Sequence, residues 1–252
     1  RGYHIFGPAE GEQACGDVGP GRMLEPAQLV ELSASLFETG ELAGKSFVIT
    51  GGPTREAIDP VRFISNHSSG KMAYALAAEA VAAGAKVTLI SGPVNLATPE
   101  SVKRIDVISA AEMLVATHEA MADCDVFIGV AAVADYRPVE IAAQKIKKSD
   151  EQMQLTLVKN PDVISEVAQR EEKPFVVGFA AETNDIVSNG KDKLKRKGLD
   201  MLFANNATET FNSDSIAVTA LTETCETELK AGNKNVVARN MLQLIATALN
   251  ER

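Results

Sequence analysis

Three stretches hold the side chains best suited to chemistry on an anion: "SNHSSGK" (65–71), "KIKK" (145–148) and "DKLKRKG" (192–198). A Ser/Asn-rich loop that opens a helix presents unpaired N–H groups and the positive end of the helix dipole, and both favour a bound anion. Ser68 and Ser69 could equally do no more than cap that helix, because serine is a preferred cap. Lys193 and Lys197 stand four apart on one helical face, a spacing that lets both address one polyphosphate. The bland alternative for either lysine run is a solvated face. Asp135, in "AAVADYRP" (131–138), could hold a cation or the polar edge of a base, or be a solvated turn acid.

Two familiar phosphate loops are excluded. A Walker loop needs Gly, four residues, then Gly-Lys-Ser/Thr; here Met72 follows Gly70 and Lys71, and Ser65 stands where the first glycine belongs. The turn "VITGGPTRE" (48–56) puts Gly51 and Gly52 side by side, and Pro53 removes an N–H, so the dinucleotide fingerprint G-x-G-x-x-G is absent too.

These groups need a frame to hold them. From Lys45 the chain alternates short β-rich runs with Ala-rich helices, which predicts a sheet covered on both faces. Strands are expected in "KSFVIT", "KVTLIS", "RIDVIS", "DVFIGVAAVA", "PFVVGFAAE" and "DMLFANN". Helices are expected in "GKMAYALAAEAVAAG", "AAEMLVATHEAMADC" and "PDVISEVAQR", the last with proline in its first turn. "SIAVTALTETCETELKAG" reads as an edge hairpin, and "NVVARNMLQLIATALNER" as an amphipathic helix. The fold class is therefore α/β: a Rossmann-like, doubly wound, mostly parallel sheet with an added edge hairpin. Before it, residues 1–40 read as a Gly/Pro-rich loop and one helix in "PAQLVELSASLFETG".

Composition narrows the ligand. The chain has 252 residues, 25 basic against 34 acidic, for a net charge of −9; that balance opposes a general nucleic-acid surface. A basic cluster should serve a small anion. No apolar run approaches the roughly 20 residues that cross a bilayer, so no membrane partner is expected. Cys15, Cys124 and Cys225 are odd in number and lack metal-ligand spacing, which suits a reducing cytoplasm. Beginning at Arg1 without a leader, the sequence is expected to be cut from something longer.

In their order, "GGPTRE", "DPVRFISNHSSGKM", "AAVADYRP", "KIKK", "VKNPD", "VGFAAET" and "FNSD" resemble the bacterial phosphopantothenoylcysteine synthetase family over about residues 45–250. "ACGDVGPGRM" (14–23) resembles the end of its flavin-dependent decarboxylase partner. That resemblance implies residues 1–40 as the C-terminal remnant of the decarboxylase domain plus a linker helix, with Cys15 a silent remnant of its acid. About forty residues are too few to bind flavin, so FMN would belong only to the missing domain. Residues 41–252 would be the ligase domain.

The resemblance further implies CTP, 4'-phosphopantothenate and L-cysteine as partners, with Mg2+ accompanying CTP and metal ligands unspecified. The carboxylate attacks the α-phosphate, giving an acyl-cytidylate and pyrophosphate; cysteine then displaces CMP. By the same carry-over Asn66, Lys145 and Ala131 are catalytic. Ser68, Gly129, Val130, Ala131, Asp135, Lys145, Pro161, Asp162, Val163, Ile164, Phe179, Lys193 and Lys197 line the nucleotide site. Arg62 and His67 are candidates for the substrate phosphate, with a capping or subunit-contact role as the alternative. The region around residues 58–72 would help form a homodimer, with a higher assembly in the full-length bifunctional protein. Two rivals stay open from fold alone: a nicotinamide-dependent oxidoreductase, and a nonenzymatic nucleotide-sensing or scaffold domain.

Overall fold

The computed structural model of the chain describes residues 5–12, 16–36, 40–147, 152–182, 185–206 and 215–251. Six strands lie parallel: β3 (Ser46–Gly51), β6 (Lys86–Ser91), β7 (Val102–Asp106), β8 (Val126–Gly129), β11 (Phe175–Glu182) and β12 (Met201–Asn206). The hairpin β13 (Ser215–Leu221) and β14 (Glu226–Asn233) extends that sheet antiparallel at one edge. The strand order is β7-β6-β3-β8-β11-β12-β13-β14. The chain builds outward from β3 to β7, then returns to the other side of β3. Where that order reverses, between β3 and β8, the carboxyl ends of the strands diverge and leave a crevice.

Alternation explains why these runs make a two-sided sheet, since successive side chains point to opposite faces. Phe47, Ile49, Val126, Ile128 and Val177 pack with α2 (Lys71–Ala82) and α6 (Lys234–Asn250). Val48, Phe127 and Val176 pack with α3 (Ala110–Glu119), α4 (Val163–Ala168) and α5 (Ile186–Lys197). The helices α2 and α6 are also tied by Arg239 Nε donating to Glu79 Oε2 at 2.8 Å.

Several expectations are corrected in detail. Residues 9–12 and 18–22 are not loop: β1 (Ala9–Glu12) and β2 (Val18–Arg22) pair antiparallel before α1 (Pro26–Ser35). The ribbon is held by backbone pairing without an alternating apolar face, so its composition gives no strand signal. The expected long run "DVFIGVAAVA" ends as a strand at Gly129, because the following residues leave the sheet to pair with the loop after β3, as in the bridge Pro53–Ala132. Pro161 does not open α4; Asp162 is the cap, and its side chain accepts the Ser165 N–H. Cys15 lies outside the described residues. Cys124 and Cys225 are free thiols, and burial is the main influence that pushes Cys124 up to about 12, leaving it protonated and unreactive at neutral pH.

Two glycines set how closely the crevice loops approach. A Cβ on Gly51 would collide with the Ala73 side chain, and one on Gly92 would overlap the Pro53 carbonyl. The backbones after β3 and β6 therefore touch directly, with Gly92 N–H donating to Gly51 O at 2.9 Å. Gly92→Ala is expected to destabilise the chain by about 1–3 kcal/mol, the usual cost of overpacking, in chemical denaturation. Gly19→Ala, where a Cβ meets nothing within 4 Å, serves as the near-neutral control.

Candidate functional site

A cavity of about 650 Å³ opens at the carboxyl ends of β3, β8 and β11, a size that suits a small-molecule ligand. Its floor is Thr50, Gly52 and the segment 129–134, with Phe179 beside it; its walls come from the segments 67–73 and 159–164. Backbone and hydroxyl bonds stitch the floor together. Ala132 N–H donates to Gly52 O at 2.9 Å, and Ala134 N–H donates to Thr54 Oγ1 at 2.9 Å. One wall is fastened to that floor through Asn160, whose Nδ2 donates to Ala134 O and whose N–H donates to Asp135 O, both at 2.8 Å. Small residues here leave room for protein as well as ligand: a Cβ on Gly129 would sit 2.9 Å from Ile164 Cδ1.

The charge around the cavity runs against that of the chain. Lys71, Lys159, Lys193, Lys197 and Lys234 line it, against the carboxylates Asp135 and Asp162, although the chain as a whole carries −9. Lys193 Nζ donates to the Phe179 carbonyl at 2.8 Å, which aims its ammonium at the strand end. Lys197 Nζ pairs with Asp162 Oδ2 at 2.7 Å. Burial opposes the ionised Asp162 carboxyl, but hydrogen bonds from Lys197 and Ser165 outweigh it and hold the group below the usual carboxylate range. Opposite them, α2 starts after Gly70 at φ 75° with no side-chain cap; Ser68 does not cap that helix, and its Oγ accepts the Gly70 N–H at 3.3 Å.

Most residues singled out in the sequence converge on this cavity. Ser68, His67, Gly129, Val130, Ala131, Asp135, Pro161, Asp162, Val163, Ile164, Phe179, Lys193 and Lys197 all line it. Phe179 is also part of the core edge, its ring 5.9 Å from that of Phe203. Three residues are not on the wall. Asn66 sits exposed at the rim, its Nδ2 donating to Ala132 O at 3.0 Å. Lys145 is exposed on the loop that follows β9 (Tyr136–Pro138), outside the cavity. Arg62 is off the wall as well, its Nε and Nη2 donating to Asp59 Oδ2 at 3.0 and 2.6 Å, so that two of its guanidinium nitrogens already meet a carboxylate.

Other lining residues were not singled out individually: Thr50, Asn205 and Lys234, and also Lys71, Lys159 and Asn160, although these three lie inside quoted motifs. For Lys71 and Lys234 a physical clue exists. Each occupies the first position of its helix, where the helix dipole disfavours a cation, and such a local conflict is a mark of function. Among the described residues no group of three or more His, Cys, Asp or Glu could hold a metal, and no helix is long and apolar enough to cross a membrane.

The family model for the DNA/pantothenate metabolism flavoprotein C-terminal domain matches residues 42–249. The chain belongs to this family. It is 54% identical to the coenzyme A biosynthesis bifunctional protein CoaBC of Vibrio vulnificus (strain CMCP6), an alignment covering 99% of this chain and 64% of that protein. Against CoaBC of Escherichia coli (strain K12) identity is 45%, covering 100% of the chain and 64% of the relative. The chain thus spans 64% of the length of these relatives. Among solved structures, the C-terminal domain of a CoaBC protein superposes with TM-score 0.73 at 38% identity, covering 84% of this chain and 100% of that one. A Cab2 H337A mutant complex with phosphopantothenate-cysteine shares the fold at TM-score 0.68 and 15% identity, covering 90% of this chain and 95% of that one.

The Asp162–Lys197 pair gives a signed pH effect. A carboxyl held below its ordinary value adds stability that is present above that value and fades as pH falls through the lowered one. Denaturation of wild type and Asp162→Asn should therefore differ at neutral pH, with wild type the more stable, and the difference should shrink as pH falls below about 4.

Proposed function

We propose that the chain is a phosphopantothenate–cysteine ligase of coenzyme A biosynthesis that uses CTP. The observation that carries this reading is the lysine-lined cavity at the switch point of the sheet, with the Asn66 amide fixed at its rim. Support also comes from relatives named as coenzyme A biosynthesis bifunctional proteins. Residues 1–40 are then the trailing end of a decarboxylase unit, and the remainder is the ligase domain. FMN would belong to the part of the relatives that this chain does not cover, and the setting would be the cytoplasm.

The chemistry asks for cations and directed N–H groups, because positioning and electrostatic stabilisation dominate reactions at phosphorus. A phosphopantothenate carboxylate oxygen bonds to the α-phosphorus as its bond to the bridging oxygen breaks, and pyrophosphate departs with that oxygen. Lys193, Lys197, Lys71 and Lys234 surround the phosphates, and Lys145 joins them when the nucleotide is seated. Asp135 is an acceptor for the amino group of cytosine, the hydrogen-bonding edge that a carboxylate reads. Magnesium would accompany the triphosphate: an ion of this kind takes one or two carboxylates plus substrate phosphates, and with Asp135 turned to the base, Asp162 is the other carboxylate on the described cavity wall. When bound, it supplies charge neutralisation for the departing pyrophosphate.

In the second half-reaction the cysteine amine attacks the acyl carbonyl, the bond to CMP breaks, and the amine loses a proton. Asn66 suits this step because an amide donates to a carbonyl oxygen and accepts from an amine. Pyrophosphate release is expected only when CTP and phosphopantothenate are both present. Asn66→Asp is expected to retain that release while product formation falls and acyl-cytidylate accumulates, read by phosphorus NMR. Hydride transfer to a nicotinamide, or nucleotide binding without turnover, would overturn the ligase reading.

A homodimer belongs to the same proposal. Two ribbons, β4–β5 (Arg55–Ala57, Phe63–Ser65) and β9–β10 (Tyr136–Pro138, Leu157–Lys159), flank the cavity. On and beside them Phe63, Val61, Val139 and Ile141 are 47%, 59%, 55% and 64% exposed, a concentration of apolar surface that marks an interface. Light scattering should give a dimer, and Phe63→Asp with Val139→Asp should give a monomer of reduced activity.

A further inference from the structure

Among the described residues, one buried charge outside the cavity that the ligase reading leaves unused is Asp59, whose side chain is 0% exposed. Its Oδ1 accepts the N–H groups of Val61 and Arg62, each at 2.9 Å. Its Oδ2 accepts from Arg62 Nε at 3.0 Å, from Arg62 Nη2 at 2.6 Å and from the Ile146 N–H at 3.1 Å. Arg62 Nη2 also donates to the Ile146 carbonyl at 3.2 Å. One ion pair thus grips Ile146 by both its N–H and its C=O. A further bond, Ala142 N–H to Ile58 O at 3.0 Å, fastens the same two segments.

A buried ion pair is poor evidence of a stabilising role, since desolvation can cancel its Coulomb gain. What it does supply is direction, and the two segments it joins are those that carry proposed reacting groups. Lys145 directly precedes Ile146, and Arg62 leads through β5 to Asn66 within four residues. Asn66 is in turn bonded to the cavity floor at Ala132.

We propose that Asp59 is a positioning residue: through Arg62 and the Ile146 peptide it fixes the Lys145 segment against the Asn66 loop, so that activation and transfer are aligned over one cavity. This rests on the ligase reading, in which Lys145 meets the triphosphate. Lys145 is exposed and off the wall in this chain, so the reach of its side chain depends on where its backbone is anchored.

The test uses the intact chain and four variants: Asp59→Asn, Arg62→Lys, Lys145→Ala and the double variant Asp59→Asn/Lys145→Ala. Each is checked for folding by circular dichroism and assayed for pyrophosphate release with CTP and phosphopantothenate. Asp59→Asn should lower kcat about 10- to 100-fold, the scale of a small misplacement, with little change in the KM for phosphopantothenate. In the Lys145→Ala background the same change should cost nothing more, because the residue acts through Lys145. Arg62→Lys keeps a cation for Asp59 but lacks the fork to Ile146, and should show the same kcat loss if Asp59→Asn does not fold. Normal kcat in Asp59→Asn beside an impaired Lys145→Ala, or losses that multiply in the double variant, would overturn the inference alone. Full activity of Lys145→Ala would overturn the role given to Lys145 and the inference with it.

Discussion

A polyanion that entered this cavity would have to leave water for a chain whose own net charge is −9. Long-range attraction does not help such a ligand, so the favourable field must be local, and low-dielectric clefts lined with one sign of charge provide it. The strand order gives the cleft: reversal at β3 and β8 parts the loops that would otherwise close over the sheet. Into that opening converge side chains separated by much of the sequence, with Lys71 and Lys234 on one face of the sheet and Lys193 and Lys197 on the other. The acidic surplus lies elsewhere on the surface, where water screens it.

Local fields work only at fixed distances, and the floor of the cavity is correspondingly rigid. Its geometry is set by backbone contacts, by the hydroxyls of Thr50 and Thr54, and by the amides of Asn66 and Asn160. Neutral groups suit this work, because each satisfies backbone groups without adding charge to the lysine-lined cavity. The ion pair Asp59–Arg62 is the exception, and it lies off the cavity wall, where it joins two segments of the chain.

The central strands were legible in the sequence because both faces are buried, so that β3, β6, β8, β11 and β12 are nearly continuous apolar runs. The ribbon β1–β2 was not, since backbone pairing leaves no trace in side-chain pattern. Much of the site was readable through the motifs that carry the family resemblance. Arg62 shows the limit of that route: residue type fits phosphate equally well, and only coordinates reveal a carboxylate already in its fork. Lys234 shows another, since a lysine opening the final amphipathic helix joins the cavity only once α6 packs beside α2. The physical sign was there, a cation at the positive end of a dipole, but it has meaning only when the helix start is known.

The glycines at the strand ends have one more consequence. Gly51 and Gly92 have no room for a Cβ, and the cavity floor beside them, Gly52 and the segment 129–134, is built of small residues that leave its main-chain edges open to a ligand. Main-chain edges are shared by every residue type, so a point mutation has few ways to redraw them without disturbing the packing beneath. An inhibitor that took its affinity from that floor would face a target with little scope for acquired resistance, whereas one that relied on the lysines could be evaded by exchanging a single side chain.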